Sequence, residues 1–165
     1  MDFFTESELA CLDLDWWAMD MNGYIGHFTT AGVAPFPHQL KISSHHLLWN
    51  YFFETALVRG FAYESSEWEK ISGEVVKAPF PMKSVDIARK LLLSSYQFMG
   101  ERGMFSYAGY MPNGRNQYFR LIVPSSPLTI DMLPQDIKDI IQEITFPVSF
   151  SQARIITKYL ITEKQ

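Results

Sequence analysis

The sequence predicts an α+β fold. The expected core is a mostly antiparallel sheet built from two β-hairpins and C-terminal strand(s), packed by about three helices. Three observations lead there. Aromatic-rich segments flank two Asn-Gly turns, at Asn22-Gly23 and Asn113-Gly114. Three other segments space their apolar residues as helices do. The order of hairpins and helices is not the regular strand–helix alternation of a parallel fold.

Residues 14–30 read as the first hairpin, turning at Asp20-Met21-Asn22-Gly23. Asp at the first turn position and Gly at the fourth suit a type I turn with a glycine bulge, which pairs Trp16 with Phe28 and Trp17 with His27. A two-residue turn at Asn22-Gly23 would instead pair Trp17 with Phe28. Both registers put aromatics on both faces, so pattern alone does not choose. They do predict a strand pair covered on both sides. The second hairpin joins 104–111 to 116–123 through Pro112-Asn113-Gly114. A bulged turn there segregates Phe105, Tyr107, Phe119, Leu121 and Val123 from Ser106, Ala108, Tyr118 and Arg120, and is the preferred register.

The first helix starts at Ser43 or Ser44 as cap, runs through Leu48, Phe52, Thr55 and Ala56, and closes at Arg59-Gly60. The second starts at Ser84, carries the stripe Ile87, Leu91, Ser94, Ser95 and Phe98, and ends at Gly100. The third opens at Leu133-Pro134, with proline in the first helical position. Ile137, Ile140, Ile141 and Ile144 follow at helical spacing and give the strongest helix signal in the chain. Phe146, Val148 and Phe150 then alternate, and Arg154 to Thr162 reads as a final strand. Pro/Gly/Ser punctuation at 32–37, 79–81, 112–114 and 124–127 marks loops within a single domain spanning 1–165.

Composition narrows function. The chain has 165 residues, 15% aromatic and 19% charged, with a net charge of −4. Ordinary domains carry about 25% charged residues. An aromatic-rich, charge-poor chain is not intrinsically disordered. An acidic one does not bind nucleic acid by bulk charge. No apolar run reaches the roughly 18 residues of a membrane span. The opening MDFFTESELA has acids where a signal peptide needs Lys or Arg. The single cysteine, Cys11, allows no intrachain disulfide and points to a reducing, cytoplasmic setting. In its context LACLDLD it reads as a small core residue.

No catalytic set assembles from spacing. His38, His45 and His46 cluster, but adjacent residues at a helix start point about 100° apart and are poor joint ligands. These histidines read as capping or surface groups. Asp13, Asp15 and Asp20 lack calcium-loop spacing, and Asp20 already serves the turn. Ser43, Ser44, His45 and His46 lack the G-x-S-x-G elbow and an orienting carboxylate. No cofactor is expected. Between Met21 and Phe53 the only formal charge is Lys41, which reads as core or as an apolar surface. Glu64, Glu67, Glu69 and Glu74 form an acidic stretch, either a solvated face or a patch that orients a basic partner.

The segment DWWAMDMNGYIGHFTTAG places Asp15, Trp16, Trp17, Asp20, Gly23, Ile25, Phe28, Thr30 and Gly32 in a recognisable pattern. It resembles the opening hairpin of small uncharacterised bacterial proteins, some of them like immunity proteins that bind and silence a cognate toxin. LPQDIKDIIQEI resembles a helix of the SUKH immunity superfamily, without the glycine motif expected after it. The resemblance implies a protein-binding role and transfers no catalytic residue. The expected function is protein–protein binding, with a toxin as partner. Candidate binding residues, on a surface or lining a pocket, are Trp16, Trp17, His27, Phe28, Trp49, Glu64, Glu67 and Glu69. The alternatives are a small-molecule or lipid site with an aromatic pocket, and a small metal-dependent hydrolase in which a histidine converges with an aspartate.

Overall fold

Trp16 and Trp17 are neighbours in one strand, point to opposite faces of a sheet, and are both completely buried. Their sheet therefore lies between two covering layers, as the two-sided aromatic pattern predicts. The computed structural model describes residues 2–32, 34–68, 85–110 and 117–157. Its strands are β1 (Asp15–Asp20), β2 (Ile25–Thr29), β3 (Ala62–Glu64), β4 (Phe105–Tyr110), β5 (Gln117–Pro124), β6 (Thr145–Phe146) and β7 (Ile155–Thr157). Its helices include α1 (Glu6–Cys11), α2 (Ile42–Asn50), α3 (Val85–Glu101) and α4 (Gln135–Gln142). A further helical turn starts at Ser66.

The strands run β3-β5-β4-β2-β1-β6, with β7 beside β5. The sheet is mixed, not mostly antiparallel, because β2 pairs parallel with β4 and β1 parallel with β6. Hairpin signals could not reveal this. Each hairpin is antiparallel within itself, and the pairing between hairpins depends on the crossover that α2 and α3 make. More helices cover the sheet than the three expected. One of them, α1, carries a capping box in which the Thr5 hydroxyl accepts from the Glu8 N–H and the Glu8 carboxylate accepts from the Thr5 N–H.

The first hairpin takes the bulged register. Trp16 lies opposite Phe28, Trp17 opposite His27, and Gly23 adopts φ +80°, a left-handed conformation that favours glycine. The Asp20 carboxylate accepts from the N–H groups of Asn22 and Tyr24 at 2.8 and 2.9 Å, and from Phe150 N–H at 2.7 Å. The second hairpin departs from the preferred register. Tyr107 lies opposite Arg120 and Ala108 opposite Phe119. Tyr107, Tyr118 and Arg120 therefore share one face, while Ser106, Ala108 and Phe119 share the other. Arg120 has a physical reason to face inward. Its guanidinium donates to the carbonyls of Phe150 and Ser151 at 2.7 and 2.9 Å, a role that a polar/apolar sorting of the strand misses. The turn itself, Pro112-Asn113-Gly114, lies outside the described residues.

Phe28 is the hub of one face. It stacks between Trp16 (4.3 Å) and Tyr107 (4.9 Å), with Phe146 and Phe150 across it. On the other face Trp17 stacks on Phe52 at 5.0 Å. α2 reaches that position because it passes into a π-helical turn, Tyr51–Thr55, which also sets Phe53 against Phe98 of α3. α2 does not start on a serine cap or run to Gly60. Its N-cap is Lys41, Ser43 lies in its first turn, and the N–H groups of Ile42 and Ser43 donate to Asp2. Pro134 is the N-cap of α4 rather than its first residue, and Ile137 and Ile141 are buried as the spacing predicts. Of the 146–150 segment only Phe146 lies in a strand, β6, although Phe146 and Phe150 both enter the core. Cys11 is exposed at the end of α1, which buries none of its residues.

Candidate functional site

The polar centre of the molecule is a side-chain chain across three strands. Asp15 begins β1, His27 sits in the middle of β2, and Ser106 follows at the same level in β4, because the ladder places His27 opposite both Trp17 and Ser106. The His27 Nε2 lies 2.7 Å from Asp15 Oδ1, and its Nδ1 lies 3.1 Å from Ser106 Oγ. The Thr29 hydroxyl donates to the same Asp15 oxygen at 3.1 Å. The Ser106 hydroxyl also reaches the Tyr96 carbonyl at 3.3 Å, which ties the chain to α3.

Burial pushes the Asp15 carboxyl up, but the bonds from His27 and Thr29 outweigh it and hold the group below the usual carboxylate range. Asp13 is the reverse. Burial raises it, and the Ala31 N–H that it accepts offsets only part of that. Burial likewise raises the Tyr96 hydroxyl well above its ordinary value.

Serine, histidine and aspartate thus converge, which spacing alone did not show. Their burial decides what they do. His27 and Ser106 have no exposed surface, and only the Asp15 side chain, 23% exposed, touches water. A nucleophile must meet its substrate, and Ser106 is sealed between the sheet and α3. The chain acts as a clamp that satisfies three buried polar groups and holds β1, β2 and β4 in register.

The other proposed binding residues divide by burial. Trp16, Trp17 and Phe28, like His27, are core residues with no exposed surface. Each tryptophan buries about 150–250 Å². At about 25 cal/mol per Å² that is roughly 4–6 kcal/mol, a large share of a domain's whole stability. Core packing therefore outweighs any surface role for them. Glu67 is buried, 3.7 Å from the Arg154 guanidinium, so it is no part of a solvated acidic face. Glu64 is exposed. Glu69 and Glu74 lie outside the described residues. Trp49, 39% exposed, stacks on Phe53 at 4.6 Å. His38 and His46 are exposed, whereas His45 is buried. Among the described residues no group of His, Cys, Asp and Glu is placed to hold a metal ion.

A run of exposed large apolar side chains was not singled out by sequence. Leu57, Val58, Phe61 and Tyr63 are 81%, 62%, 76% and 57% exposed. Leu57, Val58 and Phe61 sit on the segment between the π-turn and β3, and Tyr63 lies within β3 itself. That segment is firmly anchored. The Glu101 carbonyl accepts from the N–H groups of Arg59 and Gly60 at 2.7 and 3.2 Å, and Arg102 Nε donates to the Ala56 carbonyl at 3.1 Å. The Arg102 guanidinium lies 3.3 Å above the Phe98 ring, which extends the Trp49–Phe53–Phe98 stack. Beside it a cleft of about 690 Å³ runs along α3, lined by Glu64, Lys90, Leu93, Gln97, Phe98 and Glu101 among others. An apolar strip thus borders a polar-rimmed cleft. The signal in the sequence was LVRGFAY, five apolar residues around Arg59-Gly60, with no periodicity to bury them. No helix among the described residues is long and apolar enough to cross a membrane. No known family model, curated protein or solved structure matches the chain.

Proposed function

We propose that this chain works by binding another protein, and that the partner class is a toxin which a bacterial cell must neutralise in its own cytoplasm. The observation that carries the binding role is the anchored apolar segment at Leu57, Val58, Phe61 and Tyr63. Exposed apolar groups gathered in one place favour association, because covering them removes apolar area from water. Held by the Glu101 carbonyl, the segment loses little freedom on docking, which lowers the cost of binding. The polar rim at Glu64, Lys90 and Glu101 offers the orienting contacts that surround such an apolar centre. The toxin class is supported by the resemblance of the Asp15–Gly32 hairpin to immunity-like proteins.

The test compares the wild-type chain with a Leu57→Asp/Phe61→Asp variant. Both are immobilised and challenged with lysate of the native host, and both are co-expressed with the product of the neighbouring gene. The reading expects a stoichiometric partner held by wild type and lost by the variant, and growth rescue by wild type only. Equal capture by both proteins, or no partner under several growth conditions, overturns it.

A further inference from the structure

His45 occupies an unusual place. It is buried in the first turn of α2, and its Nε2–H donates to the main-chain carbonyl of Asp15 at 2.7 Å. Its Nδ1 is buried and has no hydrogen-bond partner. Aromatic rings enclose it: Phe4 edge-on at 5.5 Å, Phe36 at 6.2 Å and Trp17 at 6.4 Å. Phe4 belongs to the segment that leads into α1. Few contacts hold that segment. Asp2 accepts from Ile42 and Ser43 of α2, Phe4 packs edge-on to Phe36 at 5.3 Å, and α1 fully buries no residue and rests on the core through half-buried Leu9.

A neutral imidazole suits this site, since one nitrogen donates and the other needs no proton. An imidazolium does not, because its second N–H would be buried without an acceptor. The start of α2 adds a positive dipole end against it. The groups facing the ring do not rescue the charge. Asp15 from β1 favours the charged ring, but its carboxylate is engaged by His27 of β2 and by Thr29, burial outweighs it, and His46 on α2 opposes it. Asp2, on the covering segment, is committed to Ser43. His38, two residues from Phe36, is exposed. Burial accordingly pushes the His45 imidazole below its ordinary value.

We propose that His45 is an acid-operated latch: on protonation its Nδ1–H must reach water, Phe4 lifts away, and the segment Asp2–Cys11 leaves the end of the sheet and uncovers Phe36. The device is opened by acid and closed at neutral pH.

Amide hydrogen exchange, corrected for intrinsic rates, tests it on the full chain at about pH 7.5 and about pH 5, on either side of an ordinary histidine. Residues 2–12 should exchange at least about fivefold faster at the lower pH, while α4 stays protected. The His45→Gln variant keeps the donor to Asp15 but takes up no proton, and should lose the acceleration. No acceleration in wild type, or the same acceleration in His45→Gln, overturns the proposal. Asp2→Asn separates loss of the Asp2 charge from the latch and should leave the acceleration in place. If His45→Gln does not fold, NMR of wild type decides. Protonation of His45 with the amides of residues 2–12 still protected overturns the proposal, and coincident loss of protection supports it.

Discussion

The imidazole of His27 and the carboxylate of Asp15 meet at 2.7 Å in the interior of the sheet, and their contact is the seam between β1 and β2. Replacing His27 with Ala leaves Asp15 and the Ser106 hydroxyl without that partner. The expected loss is about 2–4 kcal/mol in chemical denaturation. Asp15→Asn should cost about 1–3 kcal/mol. The double variant should lose less than the sum, because both remove one interaction.

The same carboxylate sets an acid limit. Asp15 is held below its ordinary value in the folded chain, so as pH falls the unfolded chain takes up the proton first. Its contribution is fully present above about pH 4 and is lost as pH drops through the folded value. Asp13, raised by burial, works in the opposite direction. The difference in stability between wild type and Asp15→Asn isolates the first effect, and should shrink as pH falls below about 4.

Tyr118 joins two elements that are far apart in sequence. Its hydroxyl accepts from Trp16 Nε1–H at 2.9 Å and donates to the Pro35 carbonyl at 2.7 Å. Tyr118→Phe keeps the ring and orphans both partners. Thermal and denaturant unfolding should show a loss of about 1–3 kcal/mol with the fold retained.

At Gly26 the strand is pressed against aromatic rings. A Cβ there would lie 2.7 Å from Phe150 and 2.9 Å from Phe28. Gly26→Ala should destabilise by about 1–3 kcal/mol, because neither ring has room to move within the stack. A variant as stable as wild type would mean that the rings repack freely.

How much of this was legible can be judged residue by residue. The bulged first turn was readable because Asp20 and Gly23 carry its signature within four residues. So was the isoleucine stripe of α4. The parallel β2–β4 pairing was not, since it joins residues separated by a crossover and leaves no local mark. The inward Arg120 was misread because its partners are main-chain carbonyls, which have no side-chain letter. Trp16 and Trp17 were readable as a doubly covered strand, and their full burial places them in the core rather than on an open face. The convergence of Asp15, His27 and Ser106 needed the register of two strand pairs at once.

The exposed segment makes the complementary prediction. Leu57→Asp and Phe61→Asp remove side chains that bury little, so unfolding free energy should stay within about 0.5 kcal/mol of wild type. Solubility should rise in both. Unfolding of either variant at lower denaturant would mean that the segment is part of the core.

The parallel seam between β2 and β4 also fixes the order in which the chain can be finished during synthesis. The first hairpin leaves the ribosome with aromatic residues on both of its faces, yet Tyr107, Phe146 and Phe150, which cover Phe28, are made much later. For most of translation β2 is a bare edge with Phe28 beside it, an invitation to chaperones and to other nascent chains. Closure waits for Phe150, whose N–H and carbonyl are gripped by Asp20, Tyr107 and Arg120. A part of the core that is synthesised late thus locks the first hairpin.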